Sequence, residues 1–178
     1  PALPTLAADQ GSISVNFAKQ RPSDVARNIP QGQPGGRWDV AVVVANGNYR
    51  KNGVPRVDFA HRDGQMVKRY LVRTLGFAER NIIFVKDAST ADMRTLFGTK
   101  DHPKGKLARF VRKGKSRVFV YYVGHGAPDP EKGDSYFVPV DADPDFIGST
   151  GYSLSTFYQN LRRLPAKQVI VAIDACFS

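Results

Sequence analysis

The sequence contains a single cysteine, Cys176, which excludes an internal disulfide. It has no apolar run near the ~20 residues that a membrane-spanning helix needs, and no recognisable signal peptide. We therefore expect no membrane span. The compartment stays open, because a soluble protein of this kind is either cytoplasmic or exported after removal of a signal peptide.

Several site motifs are also missing. The chain has no Gly-x-Ser-x-Gly elbow, no P-loop and no dinucleotide-binding fingerprint, which argues against the corresponding hydrolases and nucleotide-binding enzymes. A zinc site would have to use His61, His102, His125 and Cys176, and no two of these residues have the spacing of a ligand pair. We therefore predict no metal-ligating residues.

Acidic residues are too few to balance the basic ones. With 26 Lys and Arg against 16 Asp and Glu, the formal net charge is +10. A basic stretch could bind nucleic acid or an anionic membrane, or could simply be a solvated helix face and loop. Aromatic residues do not alternate with these charges as a stacking platform requires, so we favour the solvated surface and do not expect nucleic-acid binding. The stretch comprises Lys100, Lys104, Lys106, Arg109, Arg112, Lys113, Lys115 and Arg117.

Hydrophobic patterning predicts one α/β domain. Residues 1–36 hold five of the twelve prolines and are expected to form an irregular N-terminal arm before a domain over 37–178. Alternating strands and helices predict a mostly parallel central sheet with helices on both faces. Strands are predicted at 39–45, 81–85, 118–123 and 169–173, an extended piece at 136–138 after a loop at 127–134, and helices from Asp63 to Gly76, at 90–97 with a Ser89–Asp92 capping box, at 106–112 and at 154–164.

Two predicted strands end at chemically distinctive residues. His125 follows 118–123, and Cys176 follows 169–173, whose five apolar residues are typical of a strand covered on both faces. In parallel sheets the functional crevice lies at the carboxyl ends of the strands, where an imidazole can activate a thiol. The alternatives are that Cys176 is a small buried hydrophobe and that His125 is a structural residue in a glycine-rich turn.

These segments resemble a known family. Residues 121–126, Tyr-Tyr-Val-Gly-His-Gly, and 174–178, Asp-Ala-Cys-Phe-Ser, are similar to the motifs of the caspase-like cysteine peptidases of clan CD. The similarity is greatest to the metacaspase and bacterial orthocaspase branch and extends over about 37–178. It implies the caspase-like fold and a cysteine endopeptidase that acts on peptides or proteins.

The resemblance also implies roles for individual residues. Cys176 would be the nucleophile and His125 the general base and then acid, while the backbone N–H groups of Gly126 and Cys176 would form the oxyanion hole. Asp174 and Asp63 would line the pocket for the residue before the cut and favour Arg or Lys. For Asp63 the alternative is a carboxylate that complements the helix dipole.

The chain departs from the family pattern in several places. Val123 occupies the pocket position where the family has Ser, which removes a hydroxyl, and Arg62 stands next to Asp63. Calcium dependence is common among metacaspases, although the sequence shows no acidic cluster that requires calcium. A catalytically inactive caspase-like module that binds or regulates a partner is the alternative function.

The position of Cys176 in the chain also matters. Family members continue beyond the nucleophile with a smaller portion that supplies further strands and substrate-binding loops. We therefore expect this chain to be the large-subunit portion, with a small-subunit chain continuing after Ser178. Autoprocessing with basic specificity would leave Arg or Lys rather than Ser178 at the end.

Overall fold

The computed structural model describes residues 28–129 and 133–177, and two sheets lie within this part of the chain. The strands are β1 (Val40–Ala45), β2 (Ile82–Lys86), β3 (Arg117–Val123), β4 (Gly126–Pro128), β5 (Ser135–Phe137), β6 (Tyr152–Ser153) and β7 (Gln168–Asp174). The central sheet has the order β2-β1-β3-β7, and all its neighbouring strands are parallel. The smaller sheet is antiparallel, with the order β4-β5-β6.

Helices connect the parallel strands. They are α1 (Ala60–Arg73), α2 (Thr90–Phe97), α3 (Lys106–Phe110), α4 (Ile147–Thr150) and α5 (Leu154–Arg162), with 3₁₀ turns at Glu79–Asn81 and Pro144–Phe146. Among the described residues, none of the helices has the length and apolar character needed to cross a membrane.

The central sheet is buried between two helical layers. Every residue of β1 is buried, and its side chains alternate between the two faces. Ala41 and Val43 pack with Leu71 of α1 on one face. Val42 lies on the other face in the same cluster as Met93 of α2, with α3 and α5 also contributing to it. The predicted parallel sheet with helices on both faces is confirmed.

The predicted helix starting at Asp63 begins three residues earlier, at Ala60. At the start of this helix Ala60 and Gly64 are the buried residues, and Gly64 lies against the side chain of Phe84. Because these residues are small, they add little to the hydrophobic pattern from which a helix start is predicted. The capping box of α2 is confirmed, since Ser89 and Asp92 bond each other's backbone N–H groups.

The prediction that the last strand is covered on both faces is wrong. Val169 and Ile170 are 36% and 40% exposed. In the described part of the sheet β7 is paired with β3 alone and lies at the edge, and the first three residues of the strand are exposed. A run of apolar residues predicts a strand, but it does not show whether other elements cover that strand.

Two further predictions concern loops. The loop predicted over 127–134 includes Ala127 and Pro128, which belong to β4; a strand of three residues is too short for its pattern to be recognised. Residues 130–132 lie outside the described part of that loop. Of the predicted N-terminal arm, residues 1–27 also lie outside it, and 28–36 form no helix or strand.

Candidate active site

The register of β3 against β7 brings the two chemically distinctive segments together. Val123 pairs with Asp174 at the carboxyl ends of the strands, and the Gly124 N–H donates to the Asp174 carbonyl over 3.2 Å. His125 is the next residue along one strand, and Cys176 lies two residues beyond Asp174 on the other. His125 is half-buried and Cys176 is exposed, so this edge of the sheet presents both to solvent.

Two tyrosines fix the backbone of His125. Its N–H donates to the Tyr49 hydroxyl over 2.7 Å, and its carbonyl accepts from the Tyr122 hydroxyl over 2.8 Å. The Tyr49 and His125 rings also lie 4.7 Å apart. Gly124 leaves the space for this arrangement, because a Cβ there would stand 2.8 Å from the Tyr49 hydroxyl and 2.9 Å from that of Tyr122.

The imidazole of His125 has a defined hydrogen-bond partner. Its Nε2 lies 2.9 Å from the carbonyl oxygen of Pro55. A carbonyl can only accept, so Nε2 must carry the hydrogen, and Nδ1 is the nitrogen left to take a proton. Sequence reasoning missed Pro55, since any residue offers a carbonyl and only the fold selects one.

Phe177 packs over the segment that follows His125. Its ring contacts Gly126 so closely that a Cβ at Gly126 would overlap it, and the Cys176 carbonyl would lie 2.8 Å from that Cβ. The ring also lies 6.2 Å from that of Phe137. The Cys176 backbone is thus anchored from its C-terminal side by an aromatic contact with the small sheet.

Both predicted pocket carboxylates lie near one phenol, that of Tyr121. Burial is the largest cause that raises the pKa of Tyr121 to about 12, and the negative charges of Asp174 and Asp63 raise it further. Val123, beside Asp174 in register, is only 3% exposed. The charges of Asp63 and Asp174 therefore both act on Tyr121, while Val123 is buried in the core.

Asp63 also has a basic neighbour. The Arg62 Nε lies 3.4 Å from its Oδ1, and the Arg62 guanidinium stacks 4.4 Å above the exposed Phe59 ring. Asp63 lies in the first turn of α1. Both the pocket interpretation and the helix-dipole interpretation of this residue are compatible with that position.

A second carboxylate network supports the loop that carries Tyr49. Asp87 accepts hydrogen bonds from the Gly47 N–H and the Asn48 N–H, each over 2.9 Å, and from His61 Nε2 over 2.7 Å. Asp87 has a φ of +53°, a left-handed conformation that Asp tolerates better than most residues. Burial raises the pKa of Asp87, but the hydrogen bonds from Asn48, Gly47 and His61 outweigh it and lower the pKa from 3.8 to about 2.

This network gives an acid-stability prediction for Asp87→Asn, which keeps the shape and the left-handed tolerance of the side chain. A carboxyl whose pKa is lower in the folded state stabilises the fold above its unfolded pKa and loses that contribution as pH falls. The wild type should therefore exceed the variant in unfolding free energy above about pH 4, and the difference should shrink toward pH 2. Urea titrations at a series of pH values measure it. A difference that is the same throughout this range would contradict the assignment.

The described residues do not offer a metal site. Within 28–129 and 133–177, no group of three or more His, Cys, Asp or Glu side chains could hold a metal ion. Calcium prefers six to eight oxygen ligands, several of them carboxylates. Calcium dependence therefore remains an expectation from the family resemblance alone.

Comparison with known proteins identifies the family of the chain. A family model described as Caspase domain matches residues 39–178, which is most of the chain. A search of curated proteins found no match. The matched region contains the whole central sheet and both segments at its carboxyl edge. The chain therefore belongs to the caspase-domain family of cysteine peptidases.

Proposed function

We propose that the complete protein is a cysteine endopeptidase in which Cys176 is the nucleophile and His125 the general base. The observation that supports this best is the β3–β7 register, with the Gly124 N–H bonded to the Asp174 carbonyl. The His-Gly and Asp-x-Cys segments consequently leave the sheet side by side. The Tyr49 and Tyr122 hydroxyls hold the backbone of His125, which gives the base a fixed place at the edge.

The proposed reaction follows from the hydrogen bond to Pro55. With the hydrogen on Nε2 engaged, Nδ1 of His125 takes the proton of the Cys176 thiol. The sulfur then attacks the peptide carbonyl carbon, and the N–H groups of Gly126 and Cys176 stabilise the developing oxyanion. The imidazolium returns its proton to the leaving amine as the C–N bond breaks. Water hydrolyses the thioester and restores the thiol.

We propose that the residue before the cut is Arg or Lys. Asp174 and Asp63 place two carboxylates around the Tyr121 hydroxyl, which stays neutral at physiological pH because its pKa is about 12. The carboxylate oxygens of Asp174 and Asp63 can accept charge-assisted hydrogen bonds from a guanidinium or ammonium group. Arg62 already contacts Asp63 over 3.4 Å, so a substrate cation would have to displace it.

We also infer that β7 pairs with a further strand, in the place of the small-subunit chain expected from the resemblance. Within the described residues, β7 pairs with β3 alone. Val169 and Ile170 of this edge strand are apolar side chains that remain 36% and 40% exposed. Such an edge favours strand addition, and the added strand would lie next to the segment that carries Cys176.

A peptide series tests the proposed specificity. The complete protein is assayed with fluorogenic peptides that differ only in having Arg, Lys or Asp before the cut. We expect cleavage of the Arg and Lys peptides and little or none of the Asp peptide. In Asp174→Asn, kcat/KM for the Arg peptide should fall about 10- to 100-fold, the value of one charge-assisted hydrogen bond.

Two comparisons make this test specific. Asp101→Asn removes the same charge at an exposed position in the turn before α3, and it should leave kcat/KM near the wild-type value. Faster cleavage after Asp than after Arg would overturn the acidic pocket. Failure of Cys176 to react with a thiol-directed peptide inhibitor would instead favour the catalytically inactive module.

A further inference from the structure

A charged cavity lies at the amino ends of the parallel strands, on the opposite edge from Cys176. Its volume is about 230 Å³. The lining comes from the turn before β1, the 3₁₀ segment before β2 and the segment before β3, which the parallel sheet gathers at one edge. The charged and aromatic residues that line it are Arg37, Trp38, Arg80, Arg109, Phe110 and Arg112. We call this cavity the arginine pocket.

The arginine pocket has an excess of positive charge. Four of its residues are arginines, and no carboxylate is among the described residues that line it. None of the four forms an ion pair within the described part of the chain. The carboxylates next to the pocket residues in the sequence have other partners, since Asp39 binds Arg117 over 2.6 Å and Glu79 binds Lys68 over 2.8 Å. Like charges that converge in this way are stabilised by a bound anion.

Aromatic contacts orient two of the guanidinium groups. Those of Arg37 and Arg112 lie 4.9 Å and 5.2 Å from the centre of the Trp38 ring. Stacking on an aromatic ring engages the flat face of a guanidinium and leaves its N–H edge for hydrogen bonding. That edge matches the oxygen spacing of a phosphate group. The sequence had shown no interleaving of aromatics with the basic stretch, and the fold supplies it from the turn before β1.

The turn that carries Arg37 and Trp38 is fixed in place. The Gly36 N–H donates to the Asp39 carboxylate over 2.7 Å, and the Asp39 N–H returns a bond to the Gly36 carbonyl over 3.0 Å. Asn81 Nδ2 donates to the carbonyls of Arg37 and Asp39 over 3.1 Å and 3.0 Å, which ties the turn to the next lining segment. The backbone that presents Arg37 and Trp38 is therefore fixed before a ligand arrives.

We propose that the arginine pocket binds a compact anion with two or more adjacent phosphate groups. Its volume is below the roughly 300–1,000 Å³ of pockets that enclose drug-sized ligands, which favours a small and highly charged one. Both inorganic triphosphate and the phosphate chain of a nucleoside triphosphate have this chemistry. The site is independent of the proposed catalytic function.

Isothermal titration of the complete protein with sodium triphosphate tests the site. We expect one saturable site per chain, and an affinity about tenfold or more weaker in both Arg37→Gln and Arg112→Gln. Lys113→Gln is the matched control, since it removes one positive charge from the adjacent exposed loop without lining the pocket. It should change the affinity about twofold or less. Triphosphate should also raise the melting temperature of the wild type more than that of either arginine variant.

ATP distinguishes the two sources of phosphate. Equal affinity for ATP and triphosphate, with the same loss in Arg112→Gln, would mean that the phosphate chain alone is recognised. Tighter binding of ATP would make a nucleotide the ligand. Equal weakening by Lys113→Gln, or binding of a single-stranded oligonucleotide without binding of triphosphate, would overturn the proposal in favour of diffuse charge attraction.

Discussion

Replacement of Cys176 by alanine in the complete protein is expected to reduce kcat/KM for peptide cleavage by at least about 10³-fold, because alanine cannot act as a nucleophile and residues 1–178 contain no other thiol. His125→Ala should produce a loss of about 10²- to 10⁴-fold, the contribution of a positioned general base. The double variant should be about as inactive as Cys176→Ala alone, since residues that act as one unit are not additive. Steady-state assays on the best peptide of the specificity series measure all three.

His102→Ala provides the matched control for the histidine change. His102 is exposed, and it lies in the turn between α2 and α3. Its loss should leave turnover near the wild-type value. Turnover that is unaffected in either Cys176→Ala or His125→Ala would eliminate the proposed pair. If His125→Ala instead unfolds the chain, inhibitor labelling of Cys176 as a function of pH still reports whether the thiol is activated.

Asp39→Ala is expected to destabilise the fold by about 3 kcal/mol, the largest effect that we predict on stability. The carboxylate is 1% exposed and accepts from the Arg117 N–H over 2.9 Å, the Arg117 Nε over 2.8 Å and the Gly36 N–H over 2.7 Å. Alanine would leave these donors without the acceptor that joins β3 to the turn before β1. Urea unfolding measures the change in free energy.

Asp58→Ala removes the same side chain from an exposed ion pair. Asp58 and Arg56 are 4.0 Å apart and largely in solvent, so this variant should lose less than about 0.5 kcal/mol. A loss of similar size in the two variants would contradict the special role of Asp39. Burial raises the pKa of Asp39, but the bonds from Arg117 and Gly36 outweigh it and lower the pKa. Its contribution should therefore be present near neutral pH and decline in acid.

The local patterns of the sequence predicted the elements well. The strand β3 was predicted from its apolar run and the capping box from Ser89 and Asp92. Both predictions depend only on residues that are close in the sequence, and both were confirmed. The parallel sheet followed from the alternation of strands and helices. The sequence left open whether the strands before His125 and Cys176 are neighbours, and the structure shows that β3 and β7 pair directly.

Features that depend on distant residues could not be predicted. The hydrogen bond from the His125 N–H to the Tyr49 hydroxyl spans 76 positions, and that from His125 Nε2 to the Pro55 carbonyl spans 70. A tyrosine in a polar loop and a backbone carbonyl carry no signal of such a role. The exposure of β7 likewise depends on what lies beyond the strand, which its own composition does not reveal. Aromatic stacking on the basic stretch was missed because Trp38 comes from a different part of the chain.

Trp38 is the chain's one tryptophan, and its position makes it a local optical reporter. The indole is 36% exposed and sits at the amino edge of the sheet, about 20 Å from the carboxyl edge for strands of this length. Its emission should respond when the turn before β1 opens. Occupation of Cys176 by an inhibitor should leave the emission unchanged. An acceptor dye attached to Cys176 would form a donor–acceptor pair with Trp38. Energy transfer from the indole to the dye would then report the distance between the two edges of the sheet.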